Sequence, residues 1–364
     1  MTPEDGAHED DHLVKVPLAG TLVVDVSVTI PGPYATSLLG RFGARVIKFE
    51  PKTGDITRMF PHLHDALNRG KESVAVDLKD PEDIALVRAA ADRADVFVEG
   101  WRPGVAARLG LGAKELRRSN PRLVYCSLSG YGASGPLSDR PGHDLNYIAA
   151  SGMAKMLFGE RAPHPMGVPL ADLAGGTFAA LRILGALVEA SSTGRGSFID
   201  VSLGGSVREW VEAIGGAVTE ETLGPLGDLP HYGVFETADG ELLSLGTVNE
   251  DHFWIELCKT LDLMGWQDLG FLERATRSSE IRPTIERAVK ALTRAELERA
   301  LSEAVTCWAF VESPTSAPPI GGMMPPYRAA VPSLDEHGPA IRTAFAGPPT
   351  SGKQEAAGSA GSDA

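Results

Sequence analysis

Short apolar runs alternate with amphipathic ones along most of the chain. Leu22-Val23-Val24-Asp25-Val26 reads as a buried strand. Ile30-Pro31-Gly32-Pro33 then reads as a turn, and residues 34–42 as a helix closed by Gly43. Arg45-Val46-Ile47-Lys48-Phe49-Glu50 gives the next strand. Asp80 and Pro81 open a helix, one as N-cap and the other at the first helical position. Residues 95–99 and 123–128 give a third and a fourth strand. Residues 173–190 predict a strongly apolar helix, and residues 197–202 a further strand behind a Gly-rich turn. Strands that read as continuous apolar runs are covered on both faces, so the alternation predicts an α/β fold with a doubly wound parallel sheet.

The pattern changes after residue 214. Residues 215–230 are rich in Gly, Pro and Thr and read as a linker. Residues 231–312 predict a smaller α+β domain, and residues 313–345 a Pro-rich segment that returns the chain to the large domain of residues 13–214. Residues 1–12 are acidic and residues 346–364 are low in complexity, and both are expected to be disordered.

Composition narrows the partners. The 364 residues include 41 Gly and 26 Pro but only 6% aromatics, which suits many tight βα turns. A formal net charge of −14 argues against nucleic acid as the main partner. An anionic ligand would then need local Arg and Lys or helix N-termini. Cys126, Cys258 and Cys307 are far apart and odd in number, so no disulfide framework or metal site is expected. No N-terminal apolar leader and no run long enough to span a bilayer stand out. The expectation is a soluble, cytoplasmic protein without a membrane partner.

Two segments about thirty residues apart carry the candidate chemistry: residues 142–147 (Gly-His-Asp-Leu-Asn-Tyr) and residues 172–177 (Asp-Leu-Ala-Gly-Gly-Thr). A His that takes a proton and an Asp that gives one, brought to one pocket, could move a proton across a carbon centre. Taken singly, His143 also fits a structural loop position and Asp172 a helix cap. The helix dipole at Asp172 favours its carboxylate form. Gly175 and Gly176 would let a ligand approach the backbone. Arg69, Lys71, Arg102 and Arg108 suggest either a phosphate site, with Trp101 stacking on an adenine, or a solvated basic face. Glu50 ends the second strand as in dinucleotide-binding folds, but the turn before lacks the G-x-G-x-x-G pattern.

Several blocks together resemble the family III CoA-transferase superfamily, most closely its α-methylacyl-CoA racemases, over roughly residues 17–260. They are Pro-Gly-Pro-Tyr-Ala (31–35), the Leu-Leu-Gly-Arg-Phe-Gly to Glu-Pro run (38–51), the Asn-Arg-Gly-Lys to Asp-Leu-Lys run (68–79), Arg-Pro-Gly-Val (102–105), Arg-Leu-Gly-Leu (108–111) and Ser-Gly-Tyr-Gly-Ala-Ser-Gly-Pro (129–136). The His143 segment is similar to the racemase branch. The resemblance implies an interlocked homodimer, each chain with a Rossmann-like CoA-binding domain and a small domain. It implies that His143 and Asp172 exchange protons with the α-carbon of a 2-methylacyl-CoA, with Glu250 as a third catalytic residue. The implied CoA contacts are Arg108, Gly100, Trp101 and the segment around Glu50. Lys52 compensates for Pro51, which stands where the family carries a basic residue, and Arg102 and Arg69 complete the expected set. No cofactor beyond the CoA of the substrate, and no metal, is implied.

The alternative is a CoA transferase with Asp172 as nucleophile, and a third reading is a CoA-binding paralogue without chemistry. Ile30, where the transferases carry Gln, and residues 245–250, which lack their Gly-rich loop, favour the racemase. The chain after Val305 is shorter than in typical members, so a more open site and a different substrate range are expected.

Overall fold

In the computed structural model, which describes residues 16–158, 167–214, 229–321 and 329–346, the apolar runs form one parallel sheet. Its strands are β1 (Leu22–Asp25), β2 (Arg45–Pro51), β3 (Glu72–Val76), β4 (Val96–Glu99), β5 (Val124–Ser129) and β6 (Phe198–Ser202), in the order β3-β2-β1-β4-β5-β6. Val23 lies opposite Val46 on one side and Val96 on the other. Because side chains alternate across a strand, Val23 enters one core with Leu39 and Ile183. Val24 enters the other with Phe97 and Tyr125. Each such side chain contributes about 1.5–3 kcal/mol by leaving water.

The connecting helices are α1 (Pro31–Arg41), α2 (Pro61–Asn68), α3 (Pro81–Ala91), α4 (Val105–Arg108), α5 (Ala113–Ser119), α6 (Asp144–Ser151), α7 (Met153–Phe158), α8 (Leu170–Thr193) and α9 (Leu203–Ala213). Asp80 caps α3 by accepting from Glu82 N at 2.9 Å. The predicted turn before residue 34 is instead the first turn of α1. Pro31 takes the first helical position, where its missing N–H would have no partner anyway. A second correction concerns α8. By length and composition alone it could cross a membrane, although Arg182 and Glu189 interrupt its apolar run. In the fold it packs on α1, α9 and β5.

The described residues fall into two compact units, one of residues 16–213 with 329–346 and the other of residues 214–321. The second unit has an antiparallel sheet of β7 (Tyr232–Glu236), β8 (Leu242–Gly246) and β9 (Trp308–Phe310). Helices α10 (Asp251–Thr260), α11 (Phe271–Thr276), α12 (Ser278–Lys290) and α13 (Arg294–Ser302) cover it. Trp254, Leu257, Ile281 and Leu301 fill its core. The predicted tails at 1–12 and 347–364, and residues 215–228 of the predicted linker, lie outside the described residues.

The predicted return segment is not irregular throughout. It ends in α14 (Gly338–Phe345), which packs on α3 and β3. Ala75 N donates to Asp335 Oδ1 at 2.8 Å, His337 N to Ser73 O at 3.0 Å, and Arg342 Nη2 to Ala75 O at 2.8 Å.

Candidate active site

The loops that follow β1, β4 and β5 leave the carboxyl ends of the strands, and the chain order reverses between β1 and β4. Ligands of open α/β sheets bind at such a point. A cavity of about 620 Å³ opens there. The loop after β4 supplies Gly100, Trp101 and Arg102 to its lining, and α4 supplies Arg108. Ser129, Arg140, His143 and Tyr147 close the other side. Glu99 fixes the β4 loop by accepting from Trp101 N at 2.7 Å. The Ser129 hydroxyl is buried with no hydrogen-bond partner among the described residues.

The two chemistry-bearing segments meet through Asp144. Helix α8 starts after Pro169, which has no side-chain oxygen to cap it. Its first amides find an acceptor on another helix. Asp144 Oδ1 accepts from Ala171 N at 2.6 Å and from Asp172 N at 3.1 Å. His143, the residue before Asp144, is exposed, and its own N–H donates to Asn146 Oδ1 at 3.0 Å. Tyr147 packs edge-on against Tyr131, with ring centroids 5.1 Å apart. Its hydroxyl donates to Gly142 O, which ties down the loop carrying His143.

Asp172 therefore does not cap its helix. Burial, and after it the Asp144 carboxylate, push its carboxyl up to about 7. The sequence expectation is a dipole-stabilised carboxylate; burial and a like charge act against it here. Burial raises the Tyr147 phenol, and the nearby Asp172 carboxylate adds to the rise. Gly175 and Gly176 serve packing, not ligand approach. A Cβ on Gly175 would fall 2.2 Å from Leu203 Cδ2, and one on Gly176 2.7 Å from Pro31 O.

The predicted basic cluster separates. Arg102 and Arg108 line the cavity. Arg69 lies 3.6 Å from Asp65 and donates to Ala329 O at 3.2 Å. Lys71 is buried, donating to Asp25 Oδ2, Pro33 O, Thr36 Oγ1 and Asn68 Oδ1. Lys52 lies 3.4 Å from Asp83 and borders a second cavity of about 440 Å³ with Glu50 and Trp101. The Glu50 carboxylate is fully engaged by Arg58, Ser73 Oγ and Asp55 N, so it is held as structure. Glu250 belongs to the second unit, just before α10, and accepts from Val248 N at 3.0 Å. Sequence reasoning missed Asp144, Tyr147 and Arg140. The first two stand in the quoted His143 segment, so their position was visible and their partners were not. Among the described residues no cluster of three or more His, Cys, Asp or Glu is placed to hold a metal ion.

An arginine-lined cavity over the carboxyl ends of a parallel sheet is the setting of an α/β protein for a phosphate-bearing ligand. Within that class, the chain belongs to CoA-transferase family III, whose model matches residues 18–319. It is 36% identical to human succinyl-CoA:glutarate CoA-transferase over 263 residues, covering 68% of this chain and 60% of that protein. It is equally 36% identical to human alpha-methylacyl-CoA racemase over 264 residues, covering 68% and 65%. The chain thus spans about 60–65% of the length of these relatives. A CAIB/BAIF family protein from Brucella suis shares the fold, with a TM-score of 0.74, 24% identity, and coverage of 90% of this chain and 99% of that one.

Proposed function

We propose that the protein is a racemase or epimerase that inverts the α-carbon of 2-methylacyl-CoA thioesters, with His143 and Asp172 as the proton-exchanging couple. The observation that carries this reading is the Asp144 carboxylate, which joins the start of α6 to the amides of Ala171 and Asp172. The α-proton of a thioester is a very weak acid, so its removal needs a positioned base and a stabilised enolate oxygen. His143 takes the proton as the C–H electrons move into the enolate, and protonated Asp172 returns one to the opposite face. The reverse reaction exchanges the roles. A carboxyl that titrates near 7 can hold or release a proton at neutral pH, as such a couple needs. Arg102 and Arg108, with Arg140, would face the CoA phosphates.

The test is incubation of 2-methylacyl-CoA epimers in D₂O. The expected result is deuterium at Cα and the formation of both epimers. His143→Ala should slow this by about 10²–10⁴-fold, the usual worth of a general acid or base. No deuterium at Cα with 2-methylacyl chains of several lengths would overturn the reading.

A second reading is favoured by the transferase relatives, which match as well as the racemase does. The Asp172 carboxylate would attack the thioester carbonyl, expel CoA as its thiolate and form an acyl-aspartyl anhydride. The CoA thiolate would then attack the aspartyl carbonyl of that anhydride, release the donor acid as its carboxylate and leave an aspartyl-CoA thioester, from which the acceptor carboxylate takes CoA by the reverse steps. Ping-pong kinetics and a hydroxylamine-sensitive adduct on Asp172 would support it. Full activity in Asp172→Ala would exclude it.

A further inference from the structure

We propose that Asp144 is a positioning residue for the couple, holding the Asp172 carboxyl at a fixed place beside the His143 loop. The inference rests on reading His143 and Asp172 as the reacting pair. Asp144 is the first residue of α6, and its neighbour His143 lines the cavity. Its Oδ1 takes the amides of both Ala171 and Asp172, although 27 and 28 residues separate them in sequence. Two charge-assisted bonds to successive amides fix both the distance and the rotation of the α8 start relative to α6.

The same residue sets a negative neighbour beside the buried Asp172 carboxyl. Asp144 takes the amide donors of the first turn of α8. Asp172 is left with burial and a negative neighbour. The groups facing it can be followed element by element. From α6 come Asp144 and Tyr147. One turn further along α8, Gly175 and Gly176 pack against Leu203 of α9 and against Pro31 and Tyr34 of α1. Asp144 is the one anion among them. Asp144 thereby serves as the fixed anchor, and Asp172 as the proton carrier.

The experiment compares the wild type with Asp144→Asn and Asp144→Ala. Two quantities are read against pH: α-proton exchange of 2-methylacyl-CoA, and the carboxyl ¹³C titration of Asp172 by NMR. Asn keeps an oxygen for the amides but removes the charge. Its exchange should stay within about tenfold of wild type at its own optimum. Its bell-shaped profile should move to lower pH by about one unit, as should the Asp172 titration. The Haldane relation requires the same profile for both epimers, because both directions use the singly protonated pair. Asp144→Ala loses the anchor as well, and exchange should fall about 10²-fold, the cost of a misplaced reacting group. A merely structural role would lower the thermal midpoint of both variants and leave both profiles in place. An Asp172 titration that does not move in Asp144→Asn overturns the inference, whatever the rate of exchange. Absence of exchange in the wild type overturns the functional reading and not the link, which the titration reads without turnover.

Discussion

Below the start of α1, Asp25 accepts from Ser27 N at 3.0 Å, Thr36 Oγ1 at 2.6 Å and Lys71 Nζ at 3.2 Å. Beside the start of α8, Asp172 meets Asp144 instead. Both lie in the same unit, near the start of a helix that follows a loop. Burial alone would raise either carboxyl. At Asp25 the cations of Lys71 and Lys48 reverse that and hold it at about 2. At Asp172 a second anion adds to it, and the carboxyl rises to about 7. Glu50 goes the way of Asp25: burial opposes ionisation, but Arg58 and Ser73 hold it near 2. The contrast separates carboxylates that cations and hydroxyls hold in the fold from one that burial and a second carboxylate raise toward neutral pH.

The strongest way to break the comparison is Lys71→Met. It leaves Asp25 buried without its nearest cation, and breaking such a pair costs about 3–5 kcal/mol. A urea midpoint unchanged by this substitution would show that the network does not hold α1. Next is Glu50→Gln, expected to cost about 2–3 kcal/mol at pH 7. The folded-state value of Glu50 lies below its unfolded value near 4.5. Its contribution is therefore complete above that value and lost as pH falls through about 2. The stability gap between variant and wild type, followed by circular dichroism, should close over that window.

Asp172→Asn should have the opposite sign. Its folded-state value is raised, so its contribution is present below the unfolded value near 3.8 and is lost as pH rises through about 7. At pH 8 the variant should unfold about 1–2 kcal/mol less readily than wild type while losing proton exchange, a trade of activity for stability. A variant less stable than wild type at pH 8 would refute the strain assigned to this corner. The smallest effect serves as control. Arg182 and Glu209 form an exposed pair on α8 and α9. Glu209→Ala should change the unfolding free energy by less than about 0.5 kcal/mol at any pH.

The strands were legible because a parallel sheet buries both faces, so Val23 and Val24 are apolar in succession. The cap at Asp80 was legible because capping is local in sequence. The start of α1 was misplaced because Pro31 and Pro33 serve a turn and a first helical turn equally well. At the candidate site, the residue types of His143 and Asp172 marked them. Their link did not show, because no sequence period connects residue 144 to residues 171 and 172. Nor did residue type show the partners of the basic cluster: Lys71 meets the buried Asp25 and Arg69 the half-buried Asp65.

The bonds from Asp335, His337 and Arg342 to Ser73 and Ala75 have a consequence for how the chain is made. Strand β3 ends the sheet, and its outward backbone groups are a template on which another chain could add. The stretch around α14 masks that template from within the same molecule. At about 5–20 residues per second, synthesis reaches those residues roughly 260 positions after β3, some tens of seconds later. A nascent chain thus carries an open β-edge through most of its time on the ribosome, whereas a full-length chain refolding in solution carries its own cover from the outset.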